Sequence, residues 1–262
     1  MSINRREFLK IAGISLLGFG GASAVKKHLM GDNWVEASEV LRSPDALTAQ
    51  QWAMVVDVRK ITTMNDYKKI VEACHSIHNV PDFRNPKDEI KWIWKDTFEH
   101  TFPTSGHPYM EEGIEEKPFL LLCNHCENPP CVRVCPTKAT FKSKDGITMV
   151  DFHRCIGCRF CMAACPYGAR SFNWRDPRPF IKKTNPEFPT RTKGVVEKCN
   201  FCAERLAKGL EPACVEASNG AMVFGDLKDP DSEVRRILRT HYTIVRKPEL
   251  GTRPSVYYVI GG

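Results

Sequence analysis

Cys155, Cys158, Cys161 and Cys165 stand directly before Pro166 and read C-x2-C-x2-C-x3-C-P. In that spacing three closely placed thiolates bind one face of a [4Fe-4S] cubane and the fourth reaches a second cluster. Cys123, Cys126, Cys131 and Cys135 precede Pro136 and repeat the device with two extra residues before the third cysteine. The remaining four of the twelve cysteines are Cys74, Cys199, Cys202 and Cys214. Cys199-x2-Cys202-x11-Cys214 offers three ligands, with Cys74 the candidate for a fourth. Twelve thiols taken in fours supply three clusters and leave none over. Zinc is the natural competitor, because C-x2-C also suits a tetrahedral site. Structural zinc usually draws on two separated pairs, whereas three cysteines within seven residues followed by C-P match a cubane face.

The chemistry available to such thiolates is outer-sphere electron transfer, tuned by burial and by hydrogen bonds to sulfur. The sequence contains no C-x2-C-H for covalent haem, no C-x3-C-x2-C, no G-x-G-x-x-G and no phosphate loop. No cysteine is left to act as a nucleophile, so the chain reads as a conductor with no substrate site. His75, His125 and His153 flank cluster ligands and read as neighbours rather than ligands, since the thiol count is complete.

The elements that must hold these residues are ordinary for a folded protein. The chain has 262 residues, 42% hydrophobic and 26% charged, too polar for a multi-span membrane protein. Its net charge of +7 is too diffuse to argue for nucleic acid. Val55 to Val58 reads as a strand, and Lys144-Asp145-Gly146 as a turn between strands at 140–143 and 147–151. Glu204 to Lys208 reads as a short helix closed by Gly209. Val256 to Ile260 reads as a strand or an extended docking arm. A basic loop with Arg175, Arg178, Lys182, Lys183, Arg191 and Lys193 is either a docking surface for an acidic partner or a solvated loop, and Trp92 and Trp94 suit an interface or a core equally.

Arg5 and Arg6 precede Phe8-Leu9-Lys10 and a glycine-rich apolar stretch from Ile11 to Val25. This reads as a twin-arginine export signal. Those fifteen residues fall short of the roughly 20 that span a bilayer. Ala22-Ser23-Ala24 is a small-residue cleavage pattern, with retention as an anchor the alternative. Export through this route carries folded proteins with cofactors inserted. An even cysteine count in an exported chain would ordinarily suggest disulfides, and the cluster spacing argues against them here.

Four cysteine groups in this order resemble the iron-sulfur electron-transfer subunits of the family that contains the dimethyl sulfoxide, polysulfide and tetrathionate reductase beta subunits. The resemblance covers about residues 53–225. It implies an α+β fold of two intertwined dicluster ferredoxin-like domains with long loop insertions. The implied layout is a signal at 1–24, an extension at 25–52, a degenerate half at 53–80 with 195–225, an insertion at 81–117, a dicluster domain at 118–172, a loop at 173–194 and a tail at 226–262. The family's crossed ligation assigns Cys123, Cys126, Cys131 and Cys165 to cluster A, and Cys155, Cys158, Cys161 and Cys135 to cluster B. Cys74, Cys199, Cys202 and Cys214 make cluster C.

The chain departs from the family in one place. Alignment on the first group puts Met64, Tyr67 and Ile70 where three ligands belong, and alignment on the fourth puts Ser218 where a last one belongs. All four positions serve the same family cluster, so the expectation is a three-cluster version. His75 to Pro81, Glu89 to Trp94 and Gly251 to Tyr258 look most like the exported ferredoxin-like subunits of the sulfite-reduction-associated Dsr membrane complex. That resemblance implies two partners, an NrfD-like quinone-interacting membrane subunit and a multihaem c-type cytochrome, with peripheral attachment to the membrane in the periplasm. The alternative is the electron-transfer subunit of an exported hydrogenase or molybdenum oxidoreductase.

Overall fold

The computed structural model describes residues 43–106, 109, 113 and 117–260. The expected export signal lies outside the described residues. In chain order the elements are β1 (Trp52–Asp57), α1 (Met64–Ile77), β2 (Ile93–Asp96), α2 (Phe98–Thr101), β3 (Phe119–Leu122), α3 (Pro130–Arg133), β4 (Thr140–Lys142), β5 (Thr148–Val150) and α4 (Phe160–Ala164). They continue as β6 (Ser171–Phe172), β7 (Val196–Glu197), α5 (Ala203–Leu206), α6 (Ala213–Glu216), β8 (Met222–Asp226), α7 (Glu233–Thr240), β9 (Thr243–Ile244) and β10 (Val256–Val259). The mixture of short helices and short strands agrees with the α+β class.

One four-stranded sheet anchors this unit, in the order β8-β1-β10-β9. The run Trp52-Ala53-Met54-Val55-Val56 is buried throughout, as a central strand covered on both faces requires. β1 pairs antiparallel with β8 and parallel with β10. Of the two readings of Val256 to Ile260, the strand is the one found, at Val256–Val259. Tyr258 of β10 is fully buried, and its hydroxyl donates to the Leu120 carbonyl at 3.1 Å. The charged stretch before it forms α7, whose Ser232 N-cap accepts from the Arg235 amide. Its Val234 packs on Gly225 of β8.

The segment expected as an insertion at 81–117 also carries core. β2 pairs antiparallel with β3, and Trp92 and Trp94 are buried. This settles both tryptophans as packing residues. The Trp92 indole N–H donates to Glu197 Oε2 at 2.8 Å, a partner that burial of an indole demands.

The basic loop is largely neutralised from within. Arg191 is fully buried and pairs with Glu197 at 2.5 Å. Arg175 bonds Asp88 at 2.8 Å and lies over Phe83 and Phe180. Arg178 pairs with Asp176, and Lys182 with Asp82. Ion pairs with Asp82, Asp88, Asp176 and Glu197 leave less positive charge for an acidic partner than six basic residues suggested.

Candidate metal centres

Two small cavities take four thiols each. Cys135, Cys155, Cys158 and Cys161 line one. Cys123, Cys126, Cys131 and Cys165 line the other. Each cavity thus receives three cysteines from one sequence group and the last cysteine from the other. Cys74, Cys199, Cys202 and Cys214 are all buried. Burial pushes the Cys74 thiol well up, and Cys202, Cys214 and Cys199 are its next strongest electrostatic neighbours. Cys74 comes from the last turn of α1 and Cys214 from α6, so this third set joins distant parts of the chain.

Local backbone geometry repeats among the sets. In the first C-x2-C turn of each set the residue before the second cysteine adopts positive φ: 41° at His125, 69° at Gly157 and 53° at Phe201. Glycine adopts this conformation without a Cβ penalty, while His and Phe do so only where their surroundings compensate. At Gly157 a Cβ would also lie 2.3 Å from the Gly194 carbonyl oxygen. The His125 and Phe201 rings stack on one another, with centroids 3.6 Å apart and planes at 16°. Two ligand turns are thereby packed together. Backbone amides point at sulfur in two sets: Thr140 N lies 3.4 Å from Cys135 Sγ, and Phe201 N lies 3.4 Å from Cys199 Sγ.

Electrostatics at these thiols are dominated by burial. Burial and then Cys123 push Cys126 up to about 12, and burial alone carries Cys214 to about 12. Burial also raises Cys161 and Cys165. Cys135 goes the other way, because hydrogen bonds from Thr140 and Thr137 outweigh its modest burial. Buried thiols of this kind resist ionisation unless a cation compensates them, and a bound metal is such a cation.

Two buried cations lie among the thiols, and sequence reasoning singled out neither. Arg170 is 5% exposed; it donates to Thr140 Oγ1 at 3.1 Å, while its Nη2 has no partner among the described residues. Burial opposes its charge, but Cys131, Cys161 and Cys123 hold it above the ordinary guanidinium value. Lys198 is 2% exposed and donates to the carbonyls of Thr148 and Cys199. The available signal was a basic residue inside each of two short apolar runs, Tyr167 to Phe172 and Val195 to Cys199. His125 is fully buried; burial, then Lys198 and Arg170, drives its pKa well below the usual imidazole value. It is a neutral ring beside the thiols, as expected for a neighbour. His75 is similarly held down to about 4 by burial. At the third set, His78 Nδ1 lies 3.6 Å from Cys74 Sγ and its Nε2 lies 2.8 Å from Glu204 Oε1.

The four positions that lack cysteine are occupied by structure of another kind. Tyr67 and Ile70 are buried on the inner face of α1, and the Tyr67 hydroxyl donates to the Pro118 carbonyl at 2.6 Å. Met64 is 56% exposed. Ser218 Oγ donates to the Val215 carbonyl and accepts from the Met222 amide, which closes the turn after α6.

An all-sulfur donor set in fours, with amide donors and unpaired cations beside it, fits the requirements of a [4Fe-4S] cluster. The comparisons agree. The family model of a 4Fe-4S dicluster domain matches residues 117–184. The Hdr-like menaquinol oxidoreductase iron-sulfur subunit 1 of Archaeoglobus fulgidus is 42% identical, across 99% of this chain and 99% of its own length. The arsenate respiratory reductase iron-sulfur subunit ArrB of a Shewanella species is 41% identical over 67% of this chain and 85% of its own. The menaquinone reductase iron-sulfur cluster-binding subunit of Nitratidesulfovibrio vulgaris is 35% identical over 80% and 88%.

Proposed function

We propose a function from one premise: the chain belongs to the DmsB/NrfC-like family of iron-sulfur subunits. On that premise it is a periplasmic electron-transfer subunit with three [4Fe-4S] clusters, of the type found in the Dsr membrane complex. Cluster A is held by Cys123, Cys126, Cys131 and Cys165, and cluster B by Cys155, Cys158, Cys161 and Cys135. Cluster C is held by Cys74, Cys199, Cys202 and Cys214. The two dicluster ferredoxin-like domains of the family interlock through the crossed ligands. The observation that carries the reading is the sorting of eight thiols into two four-thiol cavities, with the other four buried together.

When bound, each cluster supplies one-electron chemistry with no open coordination position for a substrate. The chain's own residues hold the sulfurs, exclude water and set the local charge. They also differ in access. Cys135, Cys155 and Cys158 of site B are only half-buried, while all four thiols of site C are buried. Around site B, Ile156, Phe160 and Trp174 are 67%, 59% and 47% exposed, and Arg159 lies over the Trp174 ring. An apolar rim of this kind suits a protein interface. In this reading site B meets the NrfD-like quinone-interacting membrane subunit, and site C exchanges electrons with a multihaem c-type cytochrome. Among the described residues no helix is long and apolar enough to cross a membrane; in this reading membrane contact is mainly through the partner, with a retained signal as a further anchor.

Purification of the native complex under anaerobic conditions tests the reading. The expected result is about twelve iron atoms per chain, from three four-iron clusters, together with a quinone-reactive membrane protein and a haem protein. A count near eight or sixteen defeats the cluster assignment. Replacing Arg5 and Arg6 with Lys tests export, and normal periplasmic levels of that variant contradict it.

A further inference from the structure

We infer that Arg170 and Lys198 make the cluster held by Cys123, Cys126, Cys131 and Cys165 the highest-potential member of the three, so that the first electron rests in the middle of the chain of clusters. This rests on the ligand assignment proposed above. The argument begins with an imbalance. Four basic side chains are almost fully buried among the described residues: Arg170, Arg191, Lys198 and Arg246, the last held by the Thr101 and Tyr167 carbonyls. Arg191 has a carboxylate, Glu197, at 2.5 Å. Among the described residues neither Arg170 nor Lys198 forms an ion pair with a carboxylate; they bond a hydroxyl and two carbonyls. A buried charge without a counter-charge is strongly unfavourable. The negative groups near them are thiolates. A four-thiolate cluster is a net anion in both redox states, so it supplies the missing counter-charge.

Placement decides which cluster feels the cations most. Arg170 lines the cavity of Cys123, Cys126, Cys131 and Cys165, and the thiols acting on it belong to two sets: Cys131 and Cys123 of that cavity, and Cys161 of its neighbour. Lys198 bonds the carbonyl of Thr148, which lines the same cavity, and the carbonyl of Cys199, from the third set. Arg170 therefore lies between sites A and B, and Lys198 between sites A and C, whose Cys214 also feels Arg205, a cation already paired with Glu216. Site A is also the middle of the three, since its Cys131 acts on Cys161 and its Cys123 acts on Cys199. Reduction adds one electron to a site and makes it more negative. A fixed positive charge a few ångströms away in a low-dielectric interior favours that state.

The stacked His125 and Phe201 rings occupy the join between site A and site C. Lys198 is the buried charge beside that join. The expected consequence is a wire whose central site fills first and whose outer sites fill later, on whichever side the donor binds.

The test is a stepwise redox titration of the intact complex, read by paramagnetic resonance. The first signal to appear is expected to be the one altered in a Cys126→Ser variant. Arg170→Gln should make both A and B harder to reduce, with about a tenfold change in the reduction equilibrium, equivalent to ~59 mV for one electron. Arg170→Lys should restore most of that change, which a purely structural role would not predict. Lys198→Met should shift A and C and leave B alone. First reduction at B or C overturns the inference, as does Arg170→Gln with three clusters and unchanged potentials. Should Arg170→Gln assemble poorly, the order of potentials in the unmodified protein and the Lys198→Met shift decide the matter. The iron count separates failure of this inference from failure of the ligand assignment, because potentials are compared only between proteins that hold three clusters.

Discussion

Cys155, Cys158, Cys161 and Cys165 occupy the same relative positions as Met64, Tyr67, Ile70 and Cys74, yet the two stretches fold differently. The first is a left-handed turn at Gly157, a short helix at Phe160–Ala164 and an extended Cys165. The second is one continuous helix of 14 residues. The difference shows that this spacing does not specify a loop by itself. At 3.6 residues per turn, the second, third and fourth positions fall within roughly 60° of one another on a helix, and the first falls outside. With apolar residues there, the pattern becomes an amphipathic stripe. Tyr67, Ile70 and Cys74 are buried while Met64 is exposed, as that geometry requires. With Tyr67 and Ile70 in place of thiols the same register packs as an ordinary helix.

The largest expected effect tests the one thiol that the helix retains. Cys74→Ser should remove or distort the cluster of Cys74, Cys199, Cys202 and Cys214 and leave the other two. Exchange with the proposed cytochrome partner should fall more than exchange with the proposed membrane subunit. Three unchanged cluster signals in that variant would end the assignment of Cys74. The converse change sharpens the same contrast. Met64→Cys, Tyr67→Cys, Ile70→Cys and Ser218→Cys combined should leave the iron count unchanged, because three of the four thiols would sit on a closed helix; a fourth cluster would show that the register alone suffices.

A smaller effect separates packing from ligation within the helix. Ile70 is 1% exposed and belongs to the main core. Ile70→Ala should cost about 2–5 kcal/mol, the range for truncating a buried aliphatic side chain. Met64→Ala, at an exposed position, should be close to neutral. Both are measured by anaerobic thermal unfolding, and equal destabilisation would contradict the stripe.

Much of this organisation was legible in the sequence because it is written in local spacing. The two full cysteine groups, the turn at Gly146 and the strand at Val55 to Val58 all have short-range signatures, and the structure has β4, β5 and β1 there. The positive φ of 87° at Gly146 is the local reason for that turn. What was illegible depends on long-range pairing. Nothing in Val256 to Val259 states that it lies parallel beside β1, and nothing in Ile93 to Asp96 names β3 as its partner. Arg191 looked like its exposed neighbours because its carboxylate, Glu197, becomes adjacent only through the fold. Arg170 and Lys198 were missed for the same reason: their charge gains meaning from thiols contributed by other segments.

The smallest effect concerns what starts the helix where a ligand loop is expected. Thr63 and Asp66 form a capping box: Thr63 Oγ1 accepts from the Asp66 amide at 3.2 Å, and Asp66 Oδ2 accepts from the Thr63 amide at 3.0 Å. The Thr63 hydroxyl, which donates to Asp66 Oδ2 at 2.8 Å, and then the Thr63 amide hold the Asp66 carboxyl below its ordinary value. Such a lowered pKa means that the cap stabilises the fold above the usual carboxylate range, and that this contribution is lost as pH falls through the lowered value. Thr63→Ala removes the side-chain half of the box, an exchange that costs about 1 kcal/mol at helix N-caps. The variant should therefore melt slightly lower at neutral pH. The gap to the unmodified protein should narrow in acid, where Asp66 is protonated in both. A gap that is unchanged across the carboxylate range would show that Asp66 plays no part in the cap. The start of α1 would then rest on Tyr67, Ile70 and Cys74 alone.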